Sequence, residues 1–196
     1  MPTSEFREAQ ERYARIRRSA CDAVQHLIAM QWSLPAAVQL ADIDGYALET
    51  RRRTWTFPHW SGSGGWNWDA LVRPVLRRPS GFPLAVWSGD QLLGLAIGRA
   101  SKRRASGRHH TLSIHYVETH PDPFHPLRSH ILSIVFEAAE QYGDALGAER
   151  LRLVAPIPAL MPLYLGTRFG IAGRYGHALY LERAITSRAP EDRNHP

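Results

Sequence analysis

The order of apolar patterns after residue 84 constrains this chain more than any other feature. Residues 84–87 and 92–98 are apolar runs joined by Ser88-Gly89-Asp90-Gln91, a tight-turn sequence, so they predict a β-hairpin. Residues 111–118 alternate, with Leu112, Ile114 and Tyr116 on one face, and predict a third strand. Residues 127–142 put Ile131, Leu132, Val135 and Ala139 at helical spacing, and Gly143 follows them. A strand over 150–155, a short helix over 159–167 and a final strand over 175–182 complete the run. Strands interleaved with helices in this way predict an α/β (α+β) mixed sheet with helices packed on it.

Upstream, residues 4–31 read as an amphipathic helix, with Tyr13, Ile16, Ala20, Val24, Leu27 and Ile28 at helical spacing. Ser33-Leu34-Pro35 breaks it, and Ser33 suits the cap of a short second helix running to about Ala41. Asp42-Ile43-Asp44-Gly45 reads as a turn and residues 46–57 as a strand. Trp55, Trp60, Trp66 and Trp68 crowd around Ser61-Gly62-Ser63-Gly64-Gly65. Such rings either clamp a loop onto the core or line a binding site. Asn67 suits the N-cap of a helix to Arg78, ended by Pro79-Ser80-Gly81. The expected organisation is an N-terminal helical segment over 1–45 packed on a core over 46–186, with a flexible tail over 187–196.

The bulk numbers narrow the class. A single cysteine, Cys21, precludes an intramolecular disulfide. No run of about 18 apolar residues predicts a membrane span, and residues 1–20 lack the apolar core of a signal peptide, so a cytoplasmic protein is expected. The formal net charge is +6, and Lys102 is the only lysine, so the positive charge is almost all arginine. Arginine forks match phosphate and carboxylate, which suits a phosphate-rich ligand or a nucleic acid. No motif points to nucleic acid: the basic stretch 99–108 has no interleaved aromatic residues for base stacking. His110, His115, His120, His125 and His130 recur every five residues, a period of neither helix nor strand, and no zinc-ligand pattern accompanies them, so no metal is expected.

Two local matches go with the element order. Tyr164 stands five residues before Phe169, with Arg168 just before it, and Tyr116-Val117 ends a strand that a loop joins to a helix carrying Ile131-Leu132. In both, and in the order of its last half, the chain resembles the GNAT (GCN5-related) N-acetyltransferases. There a tyrosine, three residues and Gly-Phe follow the fifth strand; here Arg168 replaces the glycine. The resemblance implies acyl transfer from acetyl-CoA, as co-substrate, to a small-molecule or protein amine acceptor, and leaves room for a homodimer. It gives Tyr164 the role of the acid that protonates the leaving thiolate, and sets Val117 and the next helix N-terminus at the coenzyme.

The phosphate loop departs from the family's glycine-rich pattern. The equivalent stretch is Pro123-Phe124-His125-Pro126-Leu127-Arg128, in which Pro123 replaces the family's Gln or Arg, and Pro126 and Arg128 replace glycines. Proline is comfortable in a first helical turn. The N–H groups of Leu127, Arg128 and Ser129 are then expected to be free for an anion, with His125 and Arg128 adding charge. Glu118, at the end of the third strand, and His115 are the candidates for the general base. The competing expectation is a catalytically inactive GNAT-fold binding or regulatory module that has lost acetyl-CoA.

Overall fold

The computed structural model describes residues 3–57, 64–102, 105–107 and 109–186. Trp60, the start of the Gly-Ser stretch at Ser61-Gly62-Ser63, Arg103, Arg104, Arg108 and the expected tail over 187–196 lie outside the described residues.

Helix α1 (Ser4–Gln31) starts where the Thr3 hydroxyl accepts from the Phe6 N–H at 3.3 Å. Of the positions expected inside, Tyr13, Ala20, Val24 and Ile28 are buried and Ile16 and Leu27 half-buried, and Arg17 and Cys21 complete the buried stripe. Arg17 ties this helix to the sheet. Its guanidinium donates twice to Asp42 through Nε (2.9 and 3.0 Å) and once through Nη2 (2.8 Å), and Nη1 donates to the carbonyls of Pro79 (3.0 Å) and Gly81 (3.2 Å).

Beyond α1 come β1 (Gln39–Ala41), α2 (Gly45–Thr54), α3 (Trp68–Leu76), β2 (Gly81–Ser88), β3 (Gln91–Ala100) and β4 (Thr111–Thr119). Then follow α4 (Ile131–Ala145), β5 (Arg150–Val154), a 3₁₀ turn (Pro158–Leu160), α5 (Met161–Gly166), β6 (Gly170–Tyr175) and β7 (Ala178–Ala184). The seven strands form one sheet in the order β1-β2-β3-β4-β5-β7-β6. Every pairing is antiparallel except β4 with β5, which α4 connects as a crossover. The α/β mixed sheet expected from the sequence is therefore present.

Two apolar layers sandwich the sheet. One joins α1 and α4 to Phe82, Leu84, Val86, Leu93, Leu112, Ile114 and Leu151. The other joins Ile43 and Ala47, Trp55, and Trp68 and Val72 of α3 to Ala85, Trp87, Leu92, Leu95 and Ile97.

Four sequence expectations need correction. Residues 33–41 do not form a helix; Leu40 is buried between exposed neighbours in β1, which pairs with β2 from Gln39 with Trp87 to Ala41 with Ala85. Residues 46–57 are not a strand. Asp44 caps α2 by accepting from the Ala47 N–H at 2.8 Å, Ala47 and Thr50 turn inward, and Arg51, Arg52 and Arg53 fill the last turn, where positive charge suits the helix dipole. The final strand is a pair, β6 and β7, folded back at Gly176, whose φ of 56° the tight turn requires. The helix expected over 127–142 begins only at Ile131.

The strand that matters for the site, β4, carries a bulge. Ile97 pairs with Tyr116 but Gly98 pairs with Ile114, so His115 is an extra residue with no partner on β3. The extra residue reverses the alternation. Leu112, Ile114 and Val117 pack with the α1–α4 layer, whereas Tyr116 packs with the α2–α3 layer. Gly98 makes room for this: a β-carbon there would collide with the Ser113 carbonyl oxygen. Gly98→Ala is expected to lower stability by about 1–3 kcal/mol, the usual range for overpacking, as read from urea unfolding. An unchanged midpoint would mean that the bulge does not need this glycine.

Candidate active site

The parting of β4 from β5 creates the site. The two strands pair only from Thr111 with Arg150 to Ile114 with Leu153, while β4 continues to Thr119. The gap opens into a cavity of about 760 Å³. Its wall takes in the second half of β4, the start of α4 through Ile131 and Leu132, the end of β5 through Ala155, and α5 through Leu163 and Tyr164. Ala155 has φ of 50°, a left-handed conformation unusual for a residue with a side chain, at the point where β5 turns away.

Tyr164 lines the cavity and is 5% exposed. Its ring packs at 6.4 Å from that of Phe136. Burial raises the hydroxyl pKa, and a backbone hydrogen bond at Ile157 acts in the opposite direction. The net effect holds the proton on Oη at neutral pH. Arg168, standing where the family has glycine, has φ of 67°. That left-handed conformation after a helix is the one glycine adopts without cost.

His115, the bulged residue, also lines the cavity. Its Nε2 is buried with no hydrogen-bond partner among the described residues. Burial, aided by the charge of Arg99, pushes its pKa down to about 4, so the ring is neutral at pH 7.

Glu118 is held differently. Its Oε1 accepts from the Gly65 N–H and from the Trp66 N–H at 3.3 Å. Its Oε2 accepts from Trp68 Nε1 at 2.5 Å and from Arg51 Nε at 2.9 Å, with Arg51 Nη2 at 2.8 Å. Five N–H donors meet about four lone-pair positions of a carboxylate. The general-base role expected for Glu118 needs a free lone pair, and this arrangement offers none. Glu118 instead fastens α2 and the segment before α3 to the tip of β4.

The Trp-rich segment divides by role. Trp55 is buried with Nε1 donating to the Leu92 carbonyl at 3.0 Å, and Trp68 is buried against Glu118. Trp66 is half-buried and lines the cavity with Phe57 and Gly64.

The loop from β4 to α4 differs from the free-amide cradle expected. Val117, Arg128 and Ser129 line the cavity. The Arg128 N–H is not free: it donates to the His125 carbonyl at 3.2 Å, closing a turn with Pro126 at its second position, a place that proline favours. A second turn from Leu127 to His130 delays the helix to Ile131. Leu127 is fully buried beneath the loop, and His125 braces it through Nε2, 2.9 Å from Thr119 Oγ1. His125 Nδ1 is buried with no partner among the described residues.

The other histidines of the five-residue series have local tasks. His110 pairs with Glu149 at 2.9 Å, His120 Nδ1 accepts from the Asp122 N–H, and His130 adjoins Ser129. The basic loop between β3 and β4 enters β4 at the end away from the cavity. No described helix is long and apolar enough to cross a membrane.

Solved structures share this architecture. The ribosomal-protein-S18-alanine N-acetyltransferase from Escherichia coli superposes with a TM-score of 0.54 and 15% identity, over 81% of this chain and 99% of its own. An acetyltransferase of the GNAT family from Streptococcus pneumoniae gives 0.50 and 14%, over 76% and 99%. The PaiA N-acetyltransferase from Thermoplasma acidophilum, solved in complex with coenzyme A, gives 0.51 and 11%, over 75% and 98%. The chain has the GNAT N-acetyltransferase fold in a form strongly diverged in sequence. Neither protein-family models nor curated protein sequences give a match.

Proposed function

We propose that this chain is an acyl-CoA-dependent N-acyltransferase that passes an acyl group, most simply acetyl, to an amine by direct attack. The observation that carries the reading is that one cavity, between β4 and β5, brings Tyr164, His115, Val117, Arg128 and Ser129 together in its wall. The residues fit an acyl-CoA. Arg128 and Ser129 offer a guanidinium and a hydroxyl to phosphate at one side, and Val117, Leu132 and Leu153 offer apolar wall to the pantetheine side. Acyl-CoA supplies the activated acyl group as a thioester. The amine attacks as its free base, and the proton it loses passes to solvent by way of the cavity, with the His115 ring on the wall as a relay whose lowered pKa keeps it from holding that proton. Tyr164 Oη delivers its proton to the sulfur as the new N–C bond replaces the C–S bond. Glu118 is a positioning residue in this scheme.

An inactive GNAT-fold binding module is the second reading, and one observation favours it. Pro123 and Pro126 have no N–H, and that of Arg128 is taken by the His125 carbonyl, so the loop presents fewer amides to a pyrophosphate than the glycine-rich pattern does. Acetyl transfer to a panel of amines, followed by thiol release, tests the first reading. Release that depends on amine supports it, and release that no amine stimulates argues for the module.

The neutral His115 also has a stability consequence. Its folded pKa of about 4 lies below the ordinary 6.5, so the unfolded chain binds more protons as pH falls through that window. Stability is therefore lost below pH 6.5, by about 1–2 kcal/mol between pH 7 and pH 5 from this residue. Urea unfolding at the two pH values should show that loss in the native chain, and His115→Phe should reduce it. A variant with the same pH dependence as the native chain would contradict the half-buried neutral ring.

A further inference from the structure

We infer that the acceptor is a monoamine carried on an aromatic or otherwise apolar body, and not a polyamine or a basic peptide. This rests on the acyl-transfer reading above and concerns the other side of the same cavity. There the wall is Phe57, Gly64, Trp66, Tyr116 and Glu118, from the side of the sheet covered by α2 and α3. Trp66 and Tyr116 meet edge to face, with centroids 5.2 Å apart and planes at 74°. The Trp66 backbone N–H donates to Glu118, which anchors this segment at the tip of β4. The corner presents aromatic surface where an incoming ring gains both burial and favourable edge-to-face geometry.

The charge of the wall argues against polycations. Among the described residues, Glu118 is the only carboxylate lining the cavity, and its charge is matched by Arg51 at 2.8 Å. His115 is neutral and Arg128 is positive. An acceptor with a second or third ammonium group would bury it with no counter-charge, which is strongly unfavourable. A monoamine avoids this, since its one nitrogen must be uncharged to attack and carries no second charge into the cavity.

The test uses the full chain with acetyl-CoA and three probes at matched concentration: 2-phenylethylamine, spermidine and a lysine-rich peptide. Thiol release is measured over a range of amine concentrations. The expected result is a kcat/KM for 2-phenylethylamine at least about tenfold above the other two. Trp66→Ala should raise the KM for 2-phenylethylamine by about tenfold with a much smaller change in kcat. Preference for spermidine or the peptide overturns the inference, as does a folded Trp66→Ala chain with an unchanged KM. If acetyl-CoA binds but no probe is acetylated, the acceptor inference fails alone. If acetyl-CoA does not bind, the acyl-transfer reading fails and the acceptor inference with it.

Discussion

Tyr164→Phe is expected to bind acetyl-CoA as the native chain does and to turn over about 10²-fold or more slowly, the usual effect of removing a positioned general acid. The substitution deletes one oxygen from a ring that is 5% exposed and packed against Phe136, so the fold should survive it. The raised pKa of the hydroxyl bears on the outcome. A tyrosine that keeps its proton at neutral pH donates it and does not act as a base, so its loss should appear in kcat and leave binding unchanged. Equal turnover in both chains would reduce Tyr164 to a packing residue of the α5 region.

Glu118→Ala carries the largest expected effect on stability. It leaves the Arg51 guanidinium, 13% exposed at its side chain, without its carboxylate, and it removes the acceptor for Gly65, Trp66 and Trp68. Breaking one side of a buried ion pair typically costs about 3–5 kcal/mol. In a chain of this size that corresponds to a fall in Tm of about 10 °C. Glu118→Gln separates this role from general-base catalysis. A base converted to an amide loses turnover with its fold intact; a clamp converted to an amide sets two new N–H groups against donors already present, so Tm falls as well. An unchanged Tm with lost turnover would return Glu118 to the list of bases.

The sequence made the second half of the fold legible because its elements follow local rules. The alternation of Leu112, Ile114 and Tyr116 marks β4, the spacing of Ile131, Val135 and Ala139 marks α4, and Ser88-Gly89-Asp90-Gln91 marks the hairpin. The misreadings arose where two rules compete. Asp44 is as good a helix cap as a turn residue, and the arginines of α2 disguise a helix whose inward face is only Ala47 and Thr50. The strand expected over 175–182 runs across the Gly176 turn, and β6 before it went unread because Gly170, Gly173 and Arg174 interrupt its apolar pattern.

The site was legible by residue type but not by orientation. Alternation along β4 puts Tyr116 and Ile114 on one face, and nothing local signals that His115 is an extra residue that sends them to opposite layers. The signal was available in Gly98, a glycine within a strand, which often marks a bulge. The partners of Glu118 lie 50 to 67 residues away in sequence, at Trp68, Trp66, Gly65 and Arg51, so no spacing rule reaches them. The division of labour among the tryptophans follows from that same clamp, which holds Trp68 inside and leaves Trp66 at the cavity.

The central claim is that the cavity between β4 and β5 holds an acyl-CoA despite the prolines of its phosphate loop. Calorimetric titration of the full chain with acetyl-CoA at modest salt tests it most directly. The account predicts saturable binding in the micromolar range, weakened when Arg128 is replaced by Ala. No heat of binding up to millimolar acetyl-CoA would contradict the account and leave a GNAT fold that has given up its coenzyme.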